Sequence, residues 1–324
     1  MQKQWKVLIT RDIPQVGVDI LKKYCEVEVN TKDVPLSKNE IINRLHNKQA
    51  LCPVGDIIDN EIMNSEPNLK VIANYGVGYD NINIEDATKR GILVTNTPEV
   101  LTESVAEMAW ALLLCIARRI IEADNFIRAG KFKWTGPKMF LGTEIAGKIL
   151  GIVGGGRIGT EVVRKSQSFN LKVLYYDLVR NKEIEKMGGR KVELDYLLKN
   201  SDFVSFHVPL TNETRHLIGE RELGLMKKTA YLINTSRGAV IDEVALVKAL
   251  KEKRISGAAL AVYEKEPKLT QGLSEMSNVV LTPHLGSATK EARDKMSIIM
   301  AKNCIAALKG EKPPNLVNPE VLKG

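Results

Sequence analysis

The chain has 324 residues, a length that favours two hydrophobic cores over one. Its content of 44% hydrophobic and 27% charged residues is that of an ordinary globular protein and excludes a disordered or fibrous chain. The net charge of +8 comes from single lysines and short basic pairs scattered among acids, a pattern typical of a solvated surface rather than of nucleic-acid binding.

Cysteine usage and the N-terminal segment bear on the compartment. The four cysteines have no CxxC or metal-ligand spacing and lie in apolar or amphipathic runs, where free thiols pack as small hydrophobic groups. They are Cys25, Cys52, Cys115 and Cys304. The N-terminal segment enters a strand pattern without an apolar signal region, and the longest apolar run, residues 108–117, is too short for a membrane span. We therefore expect a cytoplasmic protein with no metal site and no membrane partner.

The first hundred residues alternate short apolar runs with amphipathic ones. This alternation is typical of βαβ units and predicts a small parallel sheet. The strand-like runs are KVLIT, CEVEVN, ALCPV, VIANYG and ILVTN.

The pattern changes at residue 101. Residues 101–130 show continuous helical periodicity, which predicts one long helix with Thr102 as its N-cap and Gly130 at its end. Apolar residues occur nearly all round this helix, so we expect it to be buried between domains or subunits.

A second βαβ series begins at residue 149 and contains six strand-like runs, as a doubly wound dinucleotide sheet requires. A helix at 289–310 follows, and the short tail after it has no sheet of its own. We expect these last residues to pack on the N-terminal unit. The predicted fold is therefore α/β, with two Rossmann-like or flavodoxin-like doubly wound parallel-sheet domains and an active-site cleft between them. The first domain is discontinuous (residues 1–100 plus 289–324), and the second spans residues 101–288.

A glycine-rich turn opens the second series. Gly154, Gly156 and Gly159 form GxGxxG directly after an apolar strand and before a helix, where the backbone can approach a pyrophosphate. The next strand ends at Asp177, whose carboxylate can accept hydrogen bonds from ribose hydroxyls and would repel a 2′-phosphate. This pattern favours NAD over NADP, although Arg180 lies three residues further on.

Three chemically active residues follow strand ends of the same series: Arg237, Glu266 and His284. Open α/β sheets bind ligands at this edge. An arginine can clamp a carboxylate, a histidine can donate a proton, and a carboxylate can orient that histidine. The pattern therefore predicts acid-base chemistry on a carbonyl compound that carries a carboxylate. The other histidines are interpreted as structural: His46, His207 and His216.

These stretches resemble the D-isomer-specific 2-hydroxyacid dehydrogenase family, and the matches occur in family order over nearly the whole chain. The matching segments are NYGVGYDNIN, TPEVLTESVAEMAWALLL, GKILGIVGGGRIG, HVPLTNETRHLI, AYLINTSRGAVID, AVYEKEP and TPHLGSAT. LCPVGDIID and NTPEVLTESVAE are most similar to the glyoxylate and hydroxypyruvate reductase branch.

The resemblance implies a role for each site residue. His284 would be the general acid in reduction, Glu266 would hydrogen-bond its ring, and Arg237 would hold the substrate carboxylate and carbonyl. The N-terminal domain would bind the substrate carboxylate through the backbone amides of Val77 and Gly78. The resemblance also implies a homodimer. The implied cofactor-binding residues are Thr102, Gly154, Gly156, Arg157, Ile158, Gly159, Asp177, Pro209, Thr235 and Ala261.

One position departs from the family pattern and leaves alternatives open. The family usually has Asp where this chain has Ala261, and that Asp is expected to accept a hydrogen bond from the nicotinamide carboxamide. The leading expectation is NAD(P)H-dependent reduction of a small 2-oxo acid, glyoxylate or hydroxypyruvate. The alternatives are an NAD(H)-sensing binding protein like the corepressor relatives of the family, a cofactor-impaired homologue, and a D-3-phosphoglycerate dehydrogenase. A methyltransferase would leave Asp177 and the three active residues unexplained.

Overall fold

The computed structural model describes residues 4–32 and 34–323. The chain forms two compact units. One contains the residues up to Leu101 and those from Ser287 onward, and the other is Thr102–Gly286. We call them unit one and unit two.

Unit one is built on five parallel strands in the order β2-β1-β3-β4-β5, as the βαβ alternation predicts. The strands are β1 (Trp5–Ile9), β2 (Cys25–Val29), β3 (Ala50–Cys52), β4 (Val71–Ala73) and β5 (Leu93–Thr95). The first four helices are α1 (Gln15–Lys22), α2 (Lys38–Leu45), α3 (Asn60–Asn64) and α4 (Ile84–Lys89). Side chains at Ser37, Asp59 and Asn83 cap α2, α3 and α4, which fixes where these short helices begin.

Unit two carries seven parallel strands in the order β12-β11-β10-β9-β6-β7-β8. They are β6 (Ile149–Val153), β7 (Lys172–Tyr176), β8 (Arg190–Lys191), β9 (Phe203–Phe206), β10 (Tyr231–Asn234), β11 (Gly257–Leu260) and β12 (Val279–Leu281). β7 and β9 pair with opposite sides of β6, so the strand order reverses there, as in a doubly wound dinucleotide sheet.

The predicted six strands of unit two are present, and β8 is a seventh. It consists of two basic residues, Arg190 and Lys191, so it has no apolar run for a sequence pattern to detect.

The helices of unit two are α5 (Thr102–Ala117), α6 (Ile120–Arg128), α7 (Arg157–Ser166), α8 (Lys182–Lys186), α9 (Leu194–Asn200), α10 (Glu220–Leu225) and α11 (Glu243–Lys251). The prediction of one helix over 101–130 is wrong, because the chain breaks at Arg119, which is left-handed with φ 54°. The cause is a loop that returns more than twenty residues later: the amide of Thr143 donates to the Ala117 carbonyl at 2.7 Å. Gly142 lies so close to that carbonyl that a Cβ would collide with it.

Two further expectations about this region need revision. Thr102 is the first residue of α5 rather than its N-cap, because a turn at residues 99–101 already leads the chain into the helix. The expected burial applies only to α5, since none of the residues of α6 is buried. Gly130 ends α6 with φ 68°, as predicted.

The last helix, α12 (Lys290–Leu308), begins after Thr289, whose hydroxyl accepts from the Ala292 amide at 3.2 Å. It packs in unit one so closely against α1 that a Cβ at Gly17 would collide with the Ser297 carbonyl. The following tail also joins unit one, where the Val317 amide donates to the Val94 carbonyl at 2.8 Å.

In the part of the chain that the structure describes, none of the helices combines the length and the apolar character that crossing a bilayer demands.

Candidate active site

The site in unit two lies at the carboxyl edge of its sheet. All seven strands are parallel, so the loops that follow β6, β7, β9, β10, β11 and β12 emerge at one edge. Each unit-two residue predicted from a strand end is therefore on this edge.

The glycine turn after β6 fits a bound pyrophosphate. Gly154 has φ 100°, a conformation that favours glycine, and a Cβ at Gly159 would collide with the Gly154 carbonyl. A Cβ at Gly156 would meet no described atom within 4 Å, so the backbone is open to approach there. Gly156 also leads into α7 without a side-chain cap, which leaves amide groups of the first turn available for an anion. Arg157 and Ile158 begin that turn.

Asp177 directly follows β7 and is held against the glycine turn. Its Oδ2 accepts from the Gly155 amide at 2.6 Å, and its Oδ1 accepts from the Val179 amide at 3.0 Å. The guanidinium of Arg180 points its Nε at Glu185, 2.7 Å from Oε1. The carboxylate therefore has a fixed position beside the turn, as ribose recognition requires, while Arg180 is engaged by an acid.

Among the described residues, six buried side-chain polar atoms have no hydrogen-bond partner, and three of them lie directly after strands of this edge. These three are Nδ1 of His207, Oγ1 of Thr235 and Oγ1 of Thr282. Unpaired buried polar groups are costly in folded proteins, so these three atoms fit a site that a polar ligand completes. Pro209 follows β9 and is exposed, and Ala261, directly after β11, is only 1% exposed.

Glu266 and His284 form a hydrogen-bonded pair. Nδ1 of His284 lies 3.1 Å from Oε2 of Glu266, and the other carboxylate oxygen accepts from the Tyr263 amide at 2.9 Å. The His284 side chain is 51% exposed, so its ring can reach a substrate. The carboxylate fixes Nδ1 and leaves Nε2 for proton transfer.

Arg237 lies in a turn after β10 that Asn234 holds. The Asn234 side chain donates to the Arg237 carbonyl at 2.9 Å and accepts from the Ser236 amide at 3.0 Å.

The pKa of Glu266 reflects two opposing effects. Burial raises it, but the hydrogen bond and charge of His284, the Tyr263 amide and the charge of Arg237 outweigh burial, so the net pKa is lowered. The three predicted residues thus share one electrostatic environment.

The remaining histidines do not belong to this pair. Burial lowers the pKa of His207 to about 3, so its ring is neutral, and Nε2 lies 2.9 Å from the Ser205 hydroxyl. His216 pairs with Glu264 at 3.0 Å. His46 is exposed and directly follows α2.

A second candidate binding element lies in unit one, in the loop after β4. Side-chain amides hold its carbonyls: Asn74 donates to the Gly78 carbonyl, and Asn96 donates to the Val77 carbonyl, both at 2.8 Å. Within the described residues, the amides of Val77 and Gly78 have no acceptor. These two amides are therefore available to a carboxylate.

The sequence reasoning missed the three asparagines that hold these loops: Asn74, Asn96 and Asn234. Each is at a strand end or directly after one, and Asn74 and Asn234 are buried. The available sequence signal is an asparagine that ends or directly follows an apolar strand-like run, where its amide can bond the adjoining loop.

The doubly wound sheet, the glycine turn and the histidine–glutamate pair together define a dinucleotide-dependent oxidoreductase. The sequence pattern of the NAD binding domain of the D-isomer specific 2-hydroxyacid dehydrogenases matches residues 110–286, and the chain belongs to this family. The glycine turn and Asp177 lie within the matched NAD binding domain.

The chain is also similar to individual relatives over nearly its whole length. It is 52% identical to a glyoxylate reductase of Thermococcus litoralis, over 98% of both chains. A Thermus thermophilus protein superposes with a TM-score of 0.91 and 40% identity, over 96% of this chain and 99% of that one. A glyoxylate reductase from Paecilomyes thermophila superposes with a TM-score of 0.85 and 31% identity, over 98% and 99%.

Proposed function

We propose that this enzyme reduces a short 2-oxo acid, glyoxylate first and hydroxypyruvate second, to the 2-hydroxy acid, with the D configuration where the product is chiral. The observation that carries the proposal is the 3.1 Å hydrogen bond between His284 and Glu266 at the nucleotide edge of unit two. The glyoxylate reductases that are similar over the full length support the choice of substrate.

His284 is the general acid in this proposal. Glu266 holds Nδ1, which leaves Nε2 to give a proton to the carbonyl oxygen of the substrate. The lowered pKa of Glu266 keeps the carboxylate charged, so it remains a hydrogen-bond acceptor for Nδ1 of His284 during the transfer.

Arg237 binds the substrate carboxylate and polarises the carbonyl, because a guanidinium presents parallel donors to planar anions. The amides of Val77 and Gly78 are the further carboxylate donors of the proposal. When bound, NADH supplies the hydride that reduces the carbonyl carbon. The turn from Gly154 to Gly159, with Arg157 and Ile158, would hold the pyrophosphate and Asp177 the ribose.

The nicotinamide side is assigned to residues at the ends of several elements. They are Thr102, Pro209, Thr235 and Ala261. The unpaired buried hydroxyl of Thr235 supports its assignment. Ala261 offers no side-chain acceptor, so the nicotinamide carboxamide would lack one partner that the family usually provides.

We also propose that the enzyme is a homodimer. The segment from α6 to residue 141 exposes large apolar side chains, and an exposed apolar patch of this kind is typical of a protein interface. They are Ile120, Ile121, Ile127, Phe132, Trp134 and Leu141. Light scattering should give the mass of a dimer, and Ile127→Asp should give a monomer. The thiols of Cys52, Cys115 and Cys304, which form no disulfide, support the expected cytoplasmic location.

The deciding experiment measures NADH oxidation with glyoxylate and with hydroxypyruvate. The same reactions are repeated with NADPH in place of NADH. Oxidation of 3-phosphoglycerate and the binding of NADH in a direct titration are measured beside them. We expect turnover with NADH that exceeds turnover with NADPH, because Asp177 would repel a 2′-phosphate. The buried Ala261 favours a second candidate, an NAD(H)-sensing binding protein. NADH binding without turnover of any of these substrates would support that candidate and contradict the reductase.

A further inference from the structure

Glu243 is a buried carboxyl group outside the pair described above. It is the first residue of α11 and only 2% exposed. Among the described residues, none of the lysine, arginine or histidine nitrogens lies within salt-bridge distance of it, in contrast to buried Asp56, which pairs with Arg11 at 2.8 Å. A buried carboxyl group without a cationic partner is costly, so what it does contact is informative.

Both oxygens of Glu243 bind the loop that carries Glu266. Oε1 accepts from the amide of Glu264 at 2.7 Å, and Oε2 accepts from the hydroxyl of Thr270 at 2.6 Å. These anchors lie two residues before Glu266 and four residues after it. The carboxyl group therefore fixes the loop on both sides of the residue that orients His284.

Glu243 belongs to the segment that follows Arg237, so its hydrogen bonds also join the Glu266 loop to that segment. A backbone contact lies beside them. Gly238 touches the backbone of Tyr263 and Glu264 so closely that a Cβ there would collide with both. Glu243 follows five residues after Gly238, and its side chain returns to the same two-residue stretch. No side chain can separate the segments at this point. Among the described residues, the carboxyl group of Glu243 is the one side chain that bonds from the Arg237 segment to the loop on both sides of Glu266.

Tyr263 extends the connection to the strand that precedes His284. Its hydroxyl donates to the Thr282 carbonyl at 2.7 Å. Burial, and then the charges of Glu266 and Glu243, raise the pKa of Tyr263 to about 12, so the phenol keeps its proton and remains a donor.

We propose that Glu243 is a positioning residue that sets the Glu266–His284 hydrogen bond by clamping the 263–270 loop against the Arg237 segment. The inference rests on the proposed reductase function, because it assigns Glu243 a part in the same proton transfer. Glu243 does not touch the substrate, so its effect passes through the geometry of the pair.

Three variants that alter the Glu243 contacts and one control variant separate positioning from simple stability. Glu243→Ala removes both anchors, and Thr270→Val removes one while keeping the side-chain shape. Glu243→Gln is the conservative variant: its oxygen can accept from the Glu264 amide, and its amide can donate to the Thr270 hydroxyl, which is also an acceptor. Leu250→Ala, a buried residue on the same helix, is the matched control for stability.

We expect Glu243→Ala to lower kcat with glyoxylate about tenfold to hundredfold, because a shift near 1 Å in a catalytic group has effects of that size. The KM for NADH should stay within about twofold. Thr270→Val should lower kcat less than Glu243→Ala does, and Glu243→Gln should keep most of the wild-type kcat. Leu250→Ala should lower Tm without lowering kcat.

A nitrogen-15 spectrum of the histidine rings gives a readout that needs no turnover. The His284 resonances, assigned with His284→Ala, should shift in Glu243→Ala and remain in place in Leu250→Ala. Unchanged His284 resonances together with an unchanged kcat in Glu243→Ala would overturn the proposal. If the wild type reduces neither 2-oxo acid, the proposed function fails, whereas the spectrum still decides whether Glu243 positions the pair.

Discussion

The carboxyl edges of the two sheets show how one type of scaffold can be given two kinds of chemistry. The edge of unit two carries charged side chains that can move a proton or bind an anion: Asp177, Arg237, Glu266 and His284. The edge of unit one presents the backbone amides of Val77 and Gly78. Neutral asparagine side chains hold this loop by donating to the carbonyls of the same two residues. We therefore expect the charged edge to control kcat and the edge of oriented amides to control substrate affinity.

The largest test of this comparison removes the proton donor. His284→Ala should lower kcat by about 10²- to 10⁴-fold, the usual contribution of general acid catalysis, and leave NADH binding unchanged. Steady-state kinetics and an NADH titration measure the two quantities. His216→Ala is the matched control, because His216 also pairs with a glutamate, and its kcat should stay within about twofold. Equal kcat losses in both variants would contradict the assignment.

Glu266→Gln tests the charge that supports the histidine. The pKa of Glu266 is lowered, so the carboxylate stays ionised until the pH falls below the ordinary glutamate value of about 4.3. The wild-type kcat/KM should therefore fall on the acid side of the pH profile only below that value. The variant should lack this acid limb and have a kcat about tenfold to hundredfold lower. A pH profile that keeps the same acid limb in Glu266→Gln would rule out Glu266 as its source.

The same lowered pKa has a consequence for stability. A carboxyl group whose pKa is lower in the folded state stabilises the protein above its unfolded pKa, and this contribution is lost as the pH falls through the folded pKa. The Tm difference between wild type and Glu266→Gln should therefore shrink as the pH is lowered.

Ala261→Asp tests how the charged edge of unit two binds the cofactor. A charged acceptor for the nicotinamide carboxamide is worth about 1.5 to 3 kcal/mol, or about tenfold to a hundredfold in binding. We expect a lower KM for NADH. We also expect a lower Tm, because Ala261 packs within the apolar core of unit two. Ala261→Ser, which adds a smaller uncharged acceptor, is the control, and an unchanged KM for NADH in Ala261→Asp would refute the prediction.

The smallest effect is expected at the amide edge of unit one. Asn74→Ala removes the side chain that holds the Gly78 carbonyl, so the Val77 and Gly78 amides lose orientation. The KM for glyoxylate should rise about fivefold to tenfold, because the loss of one hydrogen bond has an effect of about this size. The kcat should stay within about threefold of the wild-type value. Asn96→Ala should behave in the same way. A loss of kcat with an unchanged KM would remove the distinction between the two edges.

The elements whose positions can be inferred from the sequence share a local signal. Apart from β8, the strands of both sheets lie in short apolar or alternating runs. The glycine turn and His284 follow such runs, so their edge could be inferred from parallel pairing alone. The pairing of Glu266 with His284 was expected from the residue types at these strand ends, and the family resemblance implies it as well.

The errors and omissions have non-local causes. The break at Arg119 depends on the returning Gly142–Thr143 loop, and arginine itself carries no helix-stop signal. Asn74 and Glu243 act through hydrogen bonds to loop atoms, and their residue types are equally typical of turns and helix starts. A sequence pattern cannot distinguish a polar residue that caps an element from one that holds a catalytic loop.

The return of α12 to unit one has a consequence for how the protein is made. Unit two is one uninterrupted segment, so all of its strands have been synthesised before α12 leaves the ribosome, and it can fold at that stage. In unit one, Gly17 of α1 packs against α12 and the Val94 carbonyl accepts from the Val317 amide. Both contacts must wait until α12 and Val317 have been synthesised. α12 also holds the amide edge, because the Asn303 side chain donates to the Asn96 carbonyl at 3.0 Å, so this edge is completed after the charged edge. During synthesis we therefore expect the nascent N-terminal sheet to be the part most exposed to aggregation.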